Sequence, residues 1–433
     1  AGHATFRMRG VPFLGTLLLL LIAATACGIL DSEPTELVIC SSLPLAGGDN
    51  ARAVSMSRAI AQAIEERGNV QFGGRQYGLR YVSMDDTSPQ TDSWDTAQEA
   101  ENARAAIAEH GCIAYIGTYN SGAAKIAIPI LNRVQLAMIS PGNTYPGLTK
   151  PGGGIGDEPW IYSPLGPENR NYCRVVPADD LQTPAAARYA AEALGAQRVF
   201  IFHDTELYGE GLAELFAEAA REEGLEVVAE PLGINWRRVM EQVGSGDRSE
   251  EAQRIAETIL AENPDLVYFG GTTAHAPGIV LQTLRQQGYD GPFMGADGIA
   301  EDAFVEQAGA SGDDRIYATL VGTPLELLPD PGQVWLSRYE QRYGETPDAF
   351  AAPSYEAALV VLDAIERAEP REGASLEQAR LAVLESMKET SDFDGILGPW
   401  SFDENCDTTD TTISINRVQD RTFELVDTVR SEE

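Results

Sequence analysis

Four short polar loops, each directly after an apolar run, hold the residue types that could grip a small charged solute. Cys112 to Ile116 runs into Gly117-Thr118-Tyr119-Asn120-Ser121-Gly122, and a helical pattern starts near Ser121. A serine there can cap the helix, and the free N–H groups beside it favour an anion such as a carboxylate. An ordinary N-cap has the same sequence. Ala137-Met138-Ile139 leads into Ser140-Pro141-Gly142-Asn143-Thr144-Tyr145-Pro146, where two prolines and a glycine fix the backbone and leave Asn143 and Thr144 to project donors. Val199 to Phe202 leads into His203-Asp204 and on through Tyr208-Gly209-Glu210-Gly211, which opens another helix. Its Gly-Glu-Gly is no phosphate loop, because no Gly-Lys-Ser/Thr follows. Phe293-Met294 leads into Gly295-Ala296-Asp297-Gly298, an acid at a strand end that either holds a cation or faces solvent in a turn.

The elements that must position these loops alternate between strand and helix. Leu37 to Cys40 is a short apolar run, and Ala53, Met56, Ile60, Ala63 and Ile64 then share one helical face. Strand patterns at 77–84, 112–116 and 137–139 alternate with helical ones at 100–109 and 122–134. Residues 145–172, rich in glycine and proline, read as a long excursion without a sheet element, reshaping a cleft rim or decorating the surface. The rhythm then restarts, with strands at 199–202, 227–228, 266–269 and 293–294 and helical stripes at 212–219 and 252–260. A helix from Tyr355 to Ala368 and strands at 398–402 and 411–418 complete the series. This order predicts two α/β units of parallel sheet covered by helices. In such sheets ligands sit beyond the carboxyl ends of the strands, which is where all four loops fall.

Thirty-one basic against 66 acidic residues give a net charge of −35, with no basic stripe, and this argues against a nucleic-acid partner. The excess acid reads as a solvated surface. After Met8 and Arg9, an apolar run from Val11 to Ala24 ends in Ala24-Thr25-Ala26-Cys27. A basic start, an apolar stretch too short for a comfortable membrane span, and small residues before a cysteine describe an export leader over 1–27, with 28–35 as a polar tether. Cys40, Cys112, Cys173 and Cys406 show no CxxC or metal spacing, so no metal and no cofactor is expected. Cys40 and Cys112 lie in apolar runs, where buried thiols and a disulfide both fit; thiols are preferred here, since sequence cannot place their Cα atoms within bridging distance.

Taken together, the loops resemble those of type I periplasmic solute-binding proteins of ABC transporters, in the branched-chain amino-acid (Leu/Ile/Val) group. The resemblance covers nearly all of 37–426. It rests on Ile116 to Ser121, Ile139 to Thr144, Cys173-Arg174-Val175-Val176-Pro177-Ala178-Asp179, His203-Asp204 through Tyr208-Gly209, Val267 to Gly271, Phe293 to Gly298 and Gly395 to Asp403. It implies two doubly wound lobes joined by three crossovers, near 173–175, 318–321 and 393–398. Lobe 1 would be 36–173 plus 321–394, and lobe 2 would be 174–320 plus 395–428. By the same resemblance Cys27 ends a lipobox and carries lipid on the outer face of the membrane. The partners would be an amino-acid-like solute, a permease and its ATPase, and the protein would act as a monomer.

The resemblance also assigns roles. Ser121 would donate to the solute carboxylate, flanked by Tyr119 and Asn120. Thr144, with the backbone at Gly142 and beside Asn143, would contact carboxylate and ammonium. Asp297 would neutralise the ammonium, and Tyr208 would pack on the solute from lobe 2. Two departures shift the expected solute: Thr272 and Thr273 stand where the group has aromatic residues, and Leu45 to Asp49 lacks an aromatic. A polar amino acid, an amide, urea or another small zwitterion then competes with leucine. Two further classes differ in sequence. A hydrolase would need a nucleophile elbow or clustered histidines, which are absent, and a sensor would carry a membrane helix after the lobes, whereas the sequence ends at Glu433.

Overall fold

Strand Leu266–Gly270 is buried at every residue, as a parallel strand covered by helices on both faces must be. Ala114–Gly117 and Ala137–Ser140 behave alike, which is why these runs read as continuously apolar and not as alternating. The computed structural model describes Gly2 and residues 36–243, 248–309 and 315–430. The leader with its apolar run and Cys27 lies outside the described residues. From Glu36 on, the chain forms one compact unit.

That unit is built on two main sheets. The first contains β1 (Glu36–Leu43), β2 (Asn69–Phe72), β3 (Arg75–Asp85), β4 (Ala114–Gly117), β5 (Ala137–Ser140) and β6 (Tyr172–Arg174), in the order β2-β3-β1-β4-β5-β6. Its pairs are parallel except for the β2–β3 hairpin. The second contains β7 (Arg198–His203), β8 (Glu226–Val227), β9 (Leu232–Gly233), β10 (Leu266–Gly270), β11 (Phe293–Gly295), β12 (Ile316–Val321), β13 (Thr412–Gln419) and β14 (Thr422–Arg430). Its order is β8-β7-β10-β11-β12-β13-β14, with β9 also on β7. The last three strands pair antiparallel.

Each sheet is packed on both faces. Met56, Ile60 and Ile64 meet Val361 and Ile365 in a core on one side of the first sheet, and Ala103, Ala106, Ala127 and Leu131 fill the other. On the second sheet, Ile255, Ile259, Leu281 and Phe304 pack on one side and Ala186, Ala190, Phe216 and Ala220 on the other.

The chain passes between the sheets after Arg174, after Val321, and between Asp394 and Thr412. Two of these passages are fastened together. Cys173 and Cys406 form a disulfide, and beside it the buried Arg174 bonds Asp407 at 2.7 Å and the Tyr145 carbonyl at 2.8 Å. A second disulfide joins Cys40 to Cys112. The preference for buried thiols is therefore overturned. Neighbouring strands β1 and β4 bring the two Cα atoms to 5.9 Å, inside bridging range.

Other differences have local causes. The strand expected at 398–402 shrinks to Pro399–Trp400, paired with Phe393–Asp394. The excursion ends in a true strand, since Tyr172 already belongs to β6, and three single 3-10 turns precede it. It is no loose decoration: Tyr145, Thr149, Glu158 and Tyr162 are buried, and Tyr145 and Tyr162 both donate to Glu158. Helices Asp179–Glu192, Asp330–Tyr343 and Leu376–Lys388 were not expected. The first buries mostly alanine and the second mainly Trp335 and Tyr339, too thin a stripe for periodicity to reveal.

Candidate functional site

The loops after β4, β5, β7, β10 and β11 converge between the two sheets. Tyr119, Asn120, Ser121, Gly142, Tyr208, Thr272 and Asp297 line one small cavity. Seven of the nine solute-contact positions expected from sequence thus line one cavity, drawn from both sheets.

On the first-sheet side the groups are uncharged. Helix Ser121–Asn132 starts at the cavity. Its cap position is Asn120, not Ser121, and no side chain caps it. The amides of Ser121 and Gly122 are therefore free of a cap, the arrangement that attracts an anion. Ser121 Oγ accepts from the Tyr145 amide at 3.4 Å, which orients its hydroxyl proton elsewhere. Gly122 must lack a side chain, because a Cβ there would fall 2.4 Å from the Trp94 ring packed on the helix start.

Asn143 and Thr144 do not line the cavity. The Asn143 amide donates to the Tyr119 carbonyl at 2.8 Å, and its oxygen accepts from Tyr172 at 2.9 Å. It is a brace for the two loops, spent before any solute arrives. The Gly142 amide donates to Ser140 Oγ at 3.1 Å, so its carbonyl is what it can offer the cavity. Thr144 is buried just behind, and its carbonyl accepts from the Asp179 amide at 2.9 Å.

On the second-sheet side the groups are acids and a phenol. Asp297 opens a single 3-10 turn after β11 and is 2% exposed. Burial raises its pKa, with Gln182, Arg52 and Tyr208 opposing. Asp179, the first residue of its helix, is fully buried and is pushed up further, by burial and then by the charge of Asp297. Among the described residues, neither Asp179 oxygen nor Asp297 Oδ1 makes a close hydrogen bond, although Thr144 stands by Asp179, and Gln182 and Tyr208 by Asp297. Two buried acids that repel each other, and whose neighbours only partly offset the cost of burial, make a seat that a cation would satisfy. Sequence reasoning gave Asp179 and Gln182 no role, although Pro177-Ala178-Asp179 stood among the recognised segments. The missed signal was an acid opening a helix immediately after a passage between sheets.

Tyr208 closes this wall. Its hydroxyl accepts from the Gly298 amide at 3.0 Å, and Gly298 is required because a Cβ would meet the Gly271 carbonyl at 2.3 Å and the Tyr208 ring at 3.0 Å. Asp204 holds the neighbouring loops from behind. It accepts from the amides of Glu206 and Thr272, at 3.0 and 3.2 Å, and pairs with His275 at 2.8 Å. Burial lowers the His275 pKa, and the bond to Asp204 more than offsets this. The His203-Asp204 dipeptide thus splits, its acid serving as a buttress. Among the described residues no group of three His, Cys, Asp or Glu is placed to hold a metal. No helix among them is long and apolar enough to cross a membrane.

The fold and cavity describe a two-sheet binding protein, and the comparisons agree. Residues 41–422 match the family described as periplasmic binding protein, and the chain belongs to that family. A leucine-, isoleucine-, valine-, threonine- and alanine-binding protein of Pseudomonas aeruginosa is 24% identical over 322 residues, 74% of this chain and 76% of the relative. The crystal structure of a leucine-binding protein from Thermotoga maritima superposes with a TM-score of 0.74 at 25% identity, covering 91% of this chain and 99% of that one. A branched-chain amino-acid transporter substrate-binding protein from Streptococcus pneumoniae, solved with isoleucine, gives 0.73 at 22% identity, over 92% and 100%.

Proposed function

We propose that this chain is the solute-capturing component of an ABC importer on the outer side of a membrane, enclosing an amino acid or similar small zwitterion. The observation that carries the reading is the opposition of charge preference across one buried cavity. The uncapped helix start at Ser121 stands on one side, and the buried acid Asp297, with Asp179 close by, stands on the other. A solute with a carboxylate and an ammonium a few bonds apart satisfies both ends at once, and a simple anion or cation satisfies one.

Capture proceeds by closure of the lobe 36–173 plus 321–394 against the lobe 174–320 plus 395–428. Contacts made by both lobes exist only when the cleft is shut, so the solute favours closure through its contacts with the second lobe. Ser121 and the helix amides take the carboxylate; Asp297, with Asp179 behind it, takes the ammonium; the Gly142 carbonyl completes the rim, and Tyr208 covers the solute. Thr272 keeps the far wall polar, which favours a compact polar amino acid or amide beside the aliphatic ones.

The surrounding features support an exported location. Two disulfides belong to an oxidising compartment, and the leader ending at Cys27 fits a lipid anchor. The closed monomer would then present both lobes to a permease and its ATPase.

A thermal-shift panel of the twenty amino acids, their amides and urea tests the reading. A solute at a hundred times its Kd stabilises the fold by about 2.7 kcal/mol. The expected result is a raised unfolding temperature with one or a few zwitterions and none with the corresponding amines or carboxylic acids alone. Equal shifts with simple carboxylates would remove the ammonium seat, and silence across the panel would overturn the zwitterion reading.

A further inference from the structure

Arg52 is the most heavily committed cation in the cleft, and none of its bonds is to the side chain of Asp297. It sits in the first turn of helix Asn50–Arg67, with its side chain fully buried. Its own half of the molecule anchors it. Nε lies 3.1 Å from both Asp348 oxygens, Nη1 donates to the Tyr119 hydroxyl at 2.8 Å, and the Phe350 ring packs 5.1 Å from the guanidinium. The remaining donors cross the cleft. Nη1 also donates to the Asp297 carbonyl at 2.8 Å and Nη2 to the Ala300 carbonyl at 2.9 Å, while Glu301 stands 3.9 Å from Nε.

The two carbonyls bracket the 3-10 turn that presents the Asp297 carboxylate to the cavity. Tyr119, held by the same guanidinium, lines that cavity as well. One rigid fork therefore fixes Tyr119 on one wall and the backbone of Asp297 on the other, a task for which a guanidinium is shaped and an ammonium is not. The anchoring contacts are compatible with any cleft opening. The two carbonyl contacts span the halves, so an opening of the cleft would break them.

Resting on the capture reading, we infer that Arg52 is the closure latch of this protein: a positioning residue that binds the Asp297 turn to the opposite lobe and so ties a shut cleft to a correctly placed ammonium seat. It touches no solute atom. Its contribution is to the lifetime of the closed state, so it governs release more than capture.

Arg52→Lys tests this, because lysine keeps the positive charge beside Asp348 and loses the fork. Dyes on Arg104→Cys and Glu257→Cys, both exposed and one on each half, report the distance between halves by energy transfer. Stopped flow with the solute found by the panel gives both rate constants. The expected result is release about 10- to 100-fold faster, the loss of one of the two charged-donor hydrogen bonds, since a lysine ammonium can keep the other, with an association rate within about threefold. The unliganded protein should shift toward longer dye distances, and because Arg52 is buried its unfolding midpoint should fall as well, so the distance is the readout that separates a latch from a merely structural residue. Asp348→Asn, which loosens the anchor and leaves the fork, should give the same pattern more weakly. Unchanged release and unchanged dye distances in both variants would overturn the latch, as would a loss of stability without any change in distance. If no solute in the panel binds, the capture reading fails while the dye distances of the unliganded protein still decide the latch.

Discussion

The two sides of the cleft achieve opposite charge preference by different means. The first-sheet side uses backbone: a helix start without a cap, whose amides would point at an anion whatever the side chains nearby. The second-sheet side uses carboxylates, Asp297 and Asp179, whose burial costs free energy until a cation arrives. A backbone seat is robust because several amides share the load, and no single side chain carries it. A side-chain seat is brittle, since one substitution removes the charge and leaves a buried ammonium unpaired.

That asymmetry can be broken at its strongest point first. Asp297→Ala should weaken zwitterion binding by about 3–5 kcal/mol, more than a hundredfold, the usual consequence of removing one partner of a buried ion pair. The unliganded fold should not lose stability, because Asp297 repels Asp179 there. Calorimetric titration with a denaturation curve on the same sample checks both halves of the statement; tight binding by the variant would move the ammonium seat elsewhere.

Ser121→Ala probes the backbone side and should cost about 1–1.5 kcal/mol, close to tenfold, because the hydroxyl goes but the helix amides stay. Should the loss match that of Asp297→Ala, the contrast between a backbone seat and a side-chain seat would not hold.

The smallest effect on binding is expected from an acid that belongs to the fold. Glu99 is buried under β1, accepting from Ser42 at 2.6 Å and Tyr115 at 2.8 Å. Burial lifts its pKa from 4.5 to about 8, with both hydrogen bonds opposing. Between those values the folded chain holds a proton that the unfolded chain has released, so stability falls as pH rises through that window. Glu301 and Glu356, each lifted to about 7, add to the same slope. Urea denaturation at pH 5 and pH 8 should show the native chain weaker at pH 8. Glu99→Gln should narrow the difference and leave solute affinity unchanged, separating acids that serve the fold from acids that serve the cleft.

Much of this architecture was legible in the chain itself. Unbroken apolar runs such as Leu266 to Gly270 can be satisfied only by strands covered on both faces, so the alternation of strand and helix fixed the fold class. The loops that follow those strands fell at the carboxyl edge by the same logic, and that is why Ser121 and Asp297 could be singled out from residue type and place, whereas Tyr208 was assigned through the family resemblance. Helix Leu376–Lys388 was legible too and was missed, since Ser375 and Gln378 form a capping box at its start.

What sequence could not supply was distance between segments remote in the chain. Cys173 meets Cys406 and Arg174 meets Asp407 across more than 230 positions, because two passages between the sheets lie side by side. Asn143 has the residue type of a solute contact and is consumed as a brace, while Asp179 looks like an ordinary helix-opening acid and is buried against Asp297. Arg52 reads as one arginine on an amphipathic helix until the cleft brings the carbonyls of Asp297 and Ala300 within its reach. Local pattern determines which surfaces each segment must hide and where its polar loops emerge. Whether a polar group in those loops is spent on a neighbour or kept for a solute depends on which segments meet it, and folding decides that.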